Sequence, residues 1–159
     1  MNIIQAVKAD HREMRILCHQ VIKSLPSGQI ARENPFSQLV DLVKSHDLSE
    51  EAIVYEALLK QIESRELAMK GFEEHRLIRR LIDELLMLST KDEKWPPKAR
   101  LLTELLIQHI DSEELKLLPE LKKHFSVAEL NRMADGFRMA KRRLERSVGL
   151  RPPMGEASM

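Results

Sequence analysis

A chain of 159 residues is long enough to form one domain with a buried core. Its residues are 43% apolar but only 4% aromatic, which is typical of helical bundles and argues against a β-sheet protein. The formal net charge of +1 argues against a protein that binds nucleic acid or a membrane surface through a large field of one sign, so we predict neither partner.

The single cysteine, Cys18, has no second cysteine with which to form an internal disulfide. The N-terminus is amphipathic and charged, unlike a secretory signal, in which an apolar run follows a basic segment. No apolar stretch approaches the ~18 residues that are required to cross a bilayer. These features together predict a cytoplasmic protein.

Apolar residues that recur at steps of three and four predict a series of helices. The first spans residues 2–24 and is broken before Gly28. The second is predicted to begin with Asn34 as its N-cap and Pro35 at its first helical position, and to end near Ile62.

The third helix is predicted over about 64–88, before a polar loop. The fourth should begin at Pro97, because proline suits the first turn of a helix, and end near His124. A capping box formed by Ser126 and Glu129 then predicts a fifth, amphipathic helix.

We therefore predict three parts in the chain. Residues 1–125 form a four-helix bundle, residues 126–148 form a C-terminal amphipathic helix packed on it, and residues 149–159 form a disordered tail.

Two short motifs, His-Arg-x-x-Arg and His-x-x-Ser-Glu-Glu, each occur twice and in the same order. Their copies begin at His11, His46, His75 and His109. The first two histidines are 35 residues apart and the last two are 34 apart. This spacing predicts two similar helical hairpins. Such hairpins predict an all-α, up-down four-helix bundle with an approximate two-fold repeat, to which the fifth helix is added.

The histidines and glutamates of the repeat predict a metal site. Residues four apart lie on the same face of an α-helix, so each His-x-x-x-Glu directs an imidazole and a carboxylate to one place. A lone histidine on an apolar face is more often a core residue whose hydrogen bonds are satisfied, but the doubled spacing favours ligands. The candidate ligands are His11, His46, Glu50, His75, His109 and Glu113.

Four imidazoles and two carboxylates suit iron, manganese or zinc. A closed structural zinc site usually takes four ligands in one tetrahedron, whereas the repeat here favours two metal ions. If Glu50 and Glu113 bridge the ions, about two of six positions on each remain for an oxo or hydroxo bridge, water or a small ligand.

The pattern of one histidine and then His-x-x-x-Glu, followed by the same again, resembles the hemerythrin-like HHE cation-binding family, in its bacterial H-HxxxE-H-HxxxE type. The resemblance spans residues 11 to about 120 and includes the pair Leu118-Pro119 after the second motif. It implies two iron ions with an oxo or hydroxo bridge, with manganese and zinc ranked below iron. Oxygen-carrying hemerythrins have a second histidine where this chain has Arg79, so the resemblance points to peroxide breakdown, nitric oxide or iron handling rather than simple oxygen carriage.

Four further residues are candidates near the site. Asp47 either adds a carboxylate to one metal or is an exposed helix acid, and Tyr55 is either a hydrogen-bond donor to the site or a core residue. Arg15 and Arg79 lie one turn after a candidate ligand. There they either contact a bridging glutamate or a bound ligand, or they extend to solvent or pair with the second glutamate of the repeated motif.

The leading hypothesis for function is a non-haem di-iron protein that binds or reacts with peroxide, dioxygen or nitric oxide, as in catalase-like peroxide breakdown under oxidative stress. The alternative is a di-iron sensor or iron-handling module that signals through a protein partner. A third hypothesis is a purely structural metal bundle. The apolar stripe and basic face of the C-terminal helix offer a surface for such a partner or for a homodimer.

Overall fold

The computed structural model describes residues 1–148, which form five main helices and no strand. These helices are α1 (Ile3–Ser24), α2 (Gln29–Glu50), α3 (Arg65–Met87), α4 (Trp95–Ser112) and α5 (Val127–Val148). Two of them continue through a π-helical turn into a short α-helical segment: α2 through Glu51–Tyr55 into Glu56–Leu59, and α4 through Glu113–Leu117 into Leu118–His124. The prediction of an all-α bundle with a C-terminal fifth helix is confirmed. The predicted disordered tail, 149–159, lies outside the described residues.

Two helices begin with reciprocal capping boxes. At α1, the Gln5 backbone N–H donates to the Asn2 side chain at 3.0 Å, and the Asn2 N–H donates to the Gln5 side chain at 2.9 Å. At α5, the predicted pair forms the same arrangement, with 2.7 Å from the Ser126 N–H to Glu129 Oε2 and 3.2 Å in the other direction. Each box satisfies two backbone donors that a helix would otherwise leave unpaired.

The start of α2 differs from the prediction. The helix begins at Gln29 instead of after Asn34, and Pro35 therefore lies inside it. Gly28 precedes the helix with a φ of 92°, a conformation that side chains with a Cβ rarely adopt, so the chain turns there and the helix starts earlier. Pro35 lies about two turns into the helix, where it has no backbone N–H to donate to the carbonyl four residues earlier.

The early first turn of α2 is held by one side chain. Arg32 Nε donates to the Leu25 carbonyl at 2.9 Å, and its guanidinium also donates to the Thr90 carbonyl at 2.5 Å. These contacts tie α2 to the end of α1 and to the loop after α3, which sequence periodicity does not reveal.

Two apolar clusters fill the bundle, one on each side of its middle. The first includes Phe36 and Trp95, whose rings meet edge to face at 5.1 Å between centroids. It also contains Cys18, whose burial raises the pKa of the thiol to about 12, in accord with an unreactive core residue. The second cluster lies at the other end and includes Tyr55 and Phe137. Along α1, α2 and α3, the candidate ligands lie between these two clusters.

The C-terminal helix α5 packs against α1 and α2 through Leu130, Ala134 and Phe137, which are buried. It therefore closes one side of the bundle, as its apolar stripe predicts. Among residues 1–148, no helix has the length and apolar character that spanning a bilayer requires.

Candidate metal centre

Six buried side chains converge in the middle of the bundle. They are the six candidate ligands, each at most 3% exposed: His11, His46, Glu50, His75, His109 and Glu113. Their donor atoms form two groups of four, and the atoms of each group lie within 4.8 Å of one another. Both groups contain the same two glutamates. We call the parts that differ the His11–His46 half and the His75–His109 half.

In the His11–His46 half, each imidazole directs Nε2 towards a different glutamate. His11 Nε2 lies 3.2 Å from Glu113 Oε2, and His46 Nε2 lies 3.4 Å from Glu50 Oε2. The second of these pairs has the i, i+4 spacing that the sequence motif supplies.

The His75–His109 half repeats this arrangement with the same glutamates. His109 Nε2 lies 3.1 Å from Glu113 Oε1, and His75 Nε2 lies 3.6 Å from Glu50 Oε2. The two Nε2 atoms are 2.9 Å apart. Each glutamate thus faces one histidine of each half, as two carboxylates that bridge a pair of ions would.

The buried atoms at the centre fit metal ions. Among residues 1–148, no hydrogen-bond partner is found for His11 Nε2, His46 Nε2, either Glu50 carboxylate oxygen or Glu113 Oε2. Buried polar atoms are rarely left in this state, because the loss of solvation is not repaid. Imidazole nitrogens and carboxylate oxygens are suitable ligands for iron, manganese or zinc, so the residues present fit a divalent or trivalent cation.

The ionisation equilibria at the centre also reflect crowded, buried charge. Burial lowers the pKa of His46, but the charges of Glu50 and Asp10 outweigh it and raise the value to about 10. Burial raises the pKa of Asp47 to about 8, and burial together with the neighbouring Glu113 raises the pKa of Glu50. These acids resist ionisation where they lie, which a nearby cation would relieve.

Three of the four imidazoles also contact an outer carboxylate through Nδ1, the ring nitrogen opposite the central Nε2. His46 Nδ1 shares a hydrogen bond with Asp10 Oδ2 at 2.9 Å. The corresponding contacts join His11 Nδ1 to Glu114 at 2.9 Å and His109 Nδ1 to Glu74 at 3.0 Å. Such outer carboxylates fix the ring so that Nε2 remains the free donor.

The fourth histidine has a looser version of the same contact, since His75 Nδ1 is 3.9 Å from Glu51 Oε1. None of these outer acids was among the candidate residues. The signal was nevertheless in the repeat, because each acid is adjacent in sequence to a candidate ligand: Asp10, Glu51, Glu74 and Glu114.

The two candidate arginines, Arg15 and Arg79, pair with acids other than Glu50 and Glu113. Arg79 donates to both carboxylate oxygens of Glu51, at 2.9 and 3.0 Å. Arg15 lies 2.9 Å from Asp111 and 3.7 Å from Glu114. Arg79 therefore pairs with Glu51, whereas the nearest acid to Arg15 is Asp111 and Glu114 lies further away.

Asp47 and Tyr55 both lie close to the centre, although an exposed helix acid and a plain core residue were the alternatives for them. Asp47 is 1% exposed rather than an exposed helix acid, and its Oδ1 is 3.6 Å from His75 Nε2. The Tyr55 hydroxyl donates to Glu113 and is 3.1 Å from His75 Nε2, with its ring stacked on the imidazole. Both residues therefore belong to the His75–His109 half.

A π-helical turn follows each of the two shared glutamates and explains the position of Tyr55. In the first turn the Glu56 N–H donates to the Glu51 carbonyl, and in the second the Leu118 N–H donates to the Glu113 carbonyl. An i to i+5 bond winds the chain more slowly than an α-helix, so a residue five places after Glu50 returns towards the same face.

A small pocket between α3 and α4 leads to the centre. The exposed Lys70 and Lys116 line it together with the buried Gly71, His109 and Glu113. Its volume of about 10 Å³ is close to the minimum for one water molecule, so only very small molecules fit. A groove of about 740 Å³ runs along the outside of α3, but none of the six candidate ligands lines it.

Comparisons with known proteins agree with this geometry. The family model of the hemerythrin HHE cation binding domain matches residues 2–121. An uncharacterized hemerythrin-like protein from Schizosaccharomyces pombe is 31% identical over 142 residues, which are 88% of this chain and 69% of that protein. A DNA nickase from Nostoc sp. is 22% identical over 152 residues, and this match covers 94% of this chain but only 42% of the nickase. No solved structure gives a significant match. The family resemblance predicted from the repeated His-x-x-x-Glu motif is thus confirmed, and the chain belongs to the hemerythrin HHE cation-binding domain family.

Proposed function

We propose that the chain holds two metal ions, iron in the cell, on the six candidate ligands. The observation that carries this proposal is the sharing of Glu50 and Glu113 by both groups of donors. One mononuclear site would leave half of the buried imidazoles without a partner, whereas two ions give every Nε2 a role. Asp47 is a further oxygen donor for the His75–His109 half, since it is buried beside His75.

The proposed activity is the conversion of two molecules of hydrogen peroxide into two of water and one of dioxygen. An iron pair supplies the reversible electron transfers that this reaction needs. The protein keeps bulky reductants and bulk water away, because the ligands are buried and the pocket at Lys70 and Lys116 admits only a very small molecule. Tyr55 Oη holds a proton beside Glu113, within reach of that pocket's inner end.

The lack of a second histidine on α3 favours turnover over carriage. Arg79 occupies that position, and its guanidinium is held by Glu51. An arginine side chain offers only hydrogen-bond donors, so it supplies no metal ligand there. Each ion then keeps exchangeable positions, which a reversible carrier would restrict.

The test is metal analysis of protein expressed with ample iron, followed by an oxygen-electrode assay with hydrogen peroxide. We expect about two iron ions per chain, oxygen release over many turnovers and no long-lived oxygen complex. One tightly held zinc per chain would contradict the dinuclear site. A stable, reversible oxygen complex without peroxide turnover would favour carriage.

The second candidate function is a sensor or iron-handling module. It is favoured by the packing of α5 against α1 and α2, which places a helix with an exposed basic face next to the centre. In this case the iron-loaded protein would be inert to peroxide, and gel filtration would show a dimer or a complex with a partner protein that changes on metal removal.

DNA nicking is the activity that the name of the Nostoc relative states, and it is not proposed for this chain. The match covers less than half of that protein, and the net charge of +1 predicts no nucleic-acid partner. Incubation of the metal-loaded protein with supercoiled plasmid checks this, and conversion to the nicked form would contradict the prediction.

A further inference from the structure

The C-terminal helix reaches the metal centre, although it lies outside the residues that the family model matches. Lys141 Nζ on α5 donates to Asp10 Oδ1 at 2.7 Å. The other oxygen of the same carboxylate, Oδ2, accepts the 2.9 Å hydrogen bond from His46 Nδ1. A continuous chain of contacts therefore runs from α5 through α1 to a candidate ligand on α2.

These contacts are shielded from solvent. The side chains of Lys141 and Asp10 are 17% and 14% exposed, and that of His46 is 2% exposed. A charged hydrogen bond in such surroundings is stronger and better fixed in direction than one at the surface. Because Asp10 is held at both oxygens, its carboxylate cannot rotate freely, and the imidazole plane of His46 is fixed with it.

A second side chain of α5 contacts the same imidazole. Phe137 is 2% exposed and meets the His46 ring edge to face at 5.7 Å between centroids. The Lys141 ammonium lies 5.8 Å from the Phe137 ring centroid. The two residues of α5 thus contact His46 in two ways. Phe137 packs directly against the imidazole ring, and Lys141 acts through Asp10 at Nδ1.

The other half of the centre has two outer acids, and neither is fixed in the same way. Arg79 holds Glu51 at both oxygens, but Glu51 Oε1 is 3.9 Å from His75 Nδ1, beyond hydrogen-bond distance, so this pair does not orient the ring. Glu74 accepts from His109 Nδ1 at 3.0 Å. Its nearest cation is Lys70, 3.8 Å from Glu74 Oε1 and 61% exposed. An exposed pair at this distance has little orienting power.

We propose that α5 contributes to the metal centre. Lys141, acting through Asp10, holds His46 in its ligating orientation and so selectively retains the ion of the His11–His46 half. Lys141 and Asp10 are positioning residues in this proposal, because neither lies among the inner donors. The inference rests on the proposed two-ion centre and adds to it an element that the repeat does not contain.

The test is the release of iron from the full-length, ferrous-loaded protein to excess 2,2′-bipyridine without air, followed by absorbance. In Lys141→Met we expect one of the two ions to leave at least about 10-fold faster than in the unchanged protein, because loss of an outer partner typically weakens a metal site 10- to 100-fold. The second ion should leave at its original rate. Lys141→Arg, which keeps the cation, should restore most of the slow release.

Matched controls separate positioning from a general loss of stability. Arg142→Met changes an exposed neighbour on α5 and should release iron as the unchanged protein does. If Lys141→Met folds poorly, Asp10→Asn provides the second test, and it should show the same selective effect. Faster release of both ions together, or no change in either variant, would overturn the inference. Fewer than two ions in the unchanged protein would instead refute the proposed centre.

Discussion

The two halves of the candidate metal centre have the same types of candidate ligand but different neighbours. In the first copy of the motif, Asp47 follows the histidine and Tyr55 lies five residues after the glutamate; in the second copy the corresponding residues are Ile110 and Leu118. All four are buried. Because Asp47 and Tyr55 both face His75, the His75–His109 half gains two oxygen-bearing side chains.

The His11–His46 half is instead covered by α5. Phe137 packs on His46, whereas the His75–His109 half is reached by the small pocket beside Lys70 and Lys116. The repeat thus provides a symmetric set of donors. The side chains that the motif does not specify differ between the halves, so that one half is covered by α5 and the other is polar and reached by the pocket. Three predictions test this division, beginning with the largest expected effect.

The glutamates are shared, so their loss should affect both halves. We expect Glu50→Ala to lose most of both ions, because its carboxylate faces His46 in one half and His75 in the other. The measurement is metal content per chain after gel filtration, with circular dichroism to verify the helical fold.

His11→Ala is the matched control for this experiment, since His11 belongs to one half only. It should lose mainly one ion. If Glu50→Ala also keeps one full ion, the carboxylate is terminal and the two halves are independent.

Gly71→Ala should disturb the His75–His109 half. A Cβ at Gly71 would lie 2.5 Å from Tyr55 Cζ, so the ring must shift. Overpacking of this kind costs about 1–3 kcal/mol of unfolding free energy, more than the gain of up to about 1 kcal/mol from better helix propensity. The midpoint of urea unfolding should therefore fall.

Gly136→Ala on α5 offers the opposite case. There the added Cβ would meet only the flexible end of Ile53, at 3.1 Å from Cδ1. We expect its urea midpoint to be unchanged or higher, as helix propensity predicts. Equal losses in the two variants would show that the Tyr55 contact has no special weight.

The smallest expected difference concerns the two arginines. Arg79→Ala should lower the unfolding free energy by about 1 kcal/mol, because Arg79 forms a bidentate, partly buried pair with Glu51. Arg15→Ala should change it by only a few tenths of a kcal/mol, since Arg15 and its nearest partner Asp111 are exposed. Urea titration of both variants measures this, and a larger effect at Arg15 would contradict it.

The clustering of the six candidate ligands was predictable from sequence because it depends on a local rule. Residues four apart share a helix face, and the apolar stripe identifies which face is inside. The burial of Asp47 could not be predicted in this way, because it follows His46 directly and would point elsewhere on an isolated helix. It is buried because three other helices surround the centre, so that even a neighbouring face of α2 is enclosed.

Helix boundaries show the same limit. Apart from the start of α2, they lie within three residues of the predicted positions, because caps and breakers act over a few residues. The early start of α2 depends on Arg32 reaching Leu25 and Thr90, and Thr90 is 58 residues away in sequence. Contacts at that separation leave no periodic signal.

The paired π-helical turns also affect how the chain can change in length. Each residue of an α-helix advances the chain by about 100° around its axis, so deleting one residue normally rotates every later side chain out of place. A turn closed by an i to i+5 bond contains one residue more than an α-helical turn. Removal of one residue between Glu51 and Tyr55 would therefore leave a regular helix whose C-terminal segment stays nearly in register. The apolar positions of Glu56–Leu59 would remain inside, and the change would fall on the tyrosine beside the metal centre. At these two places, the bundle can vary the residues next to its ligands while its core stays as it is.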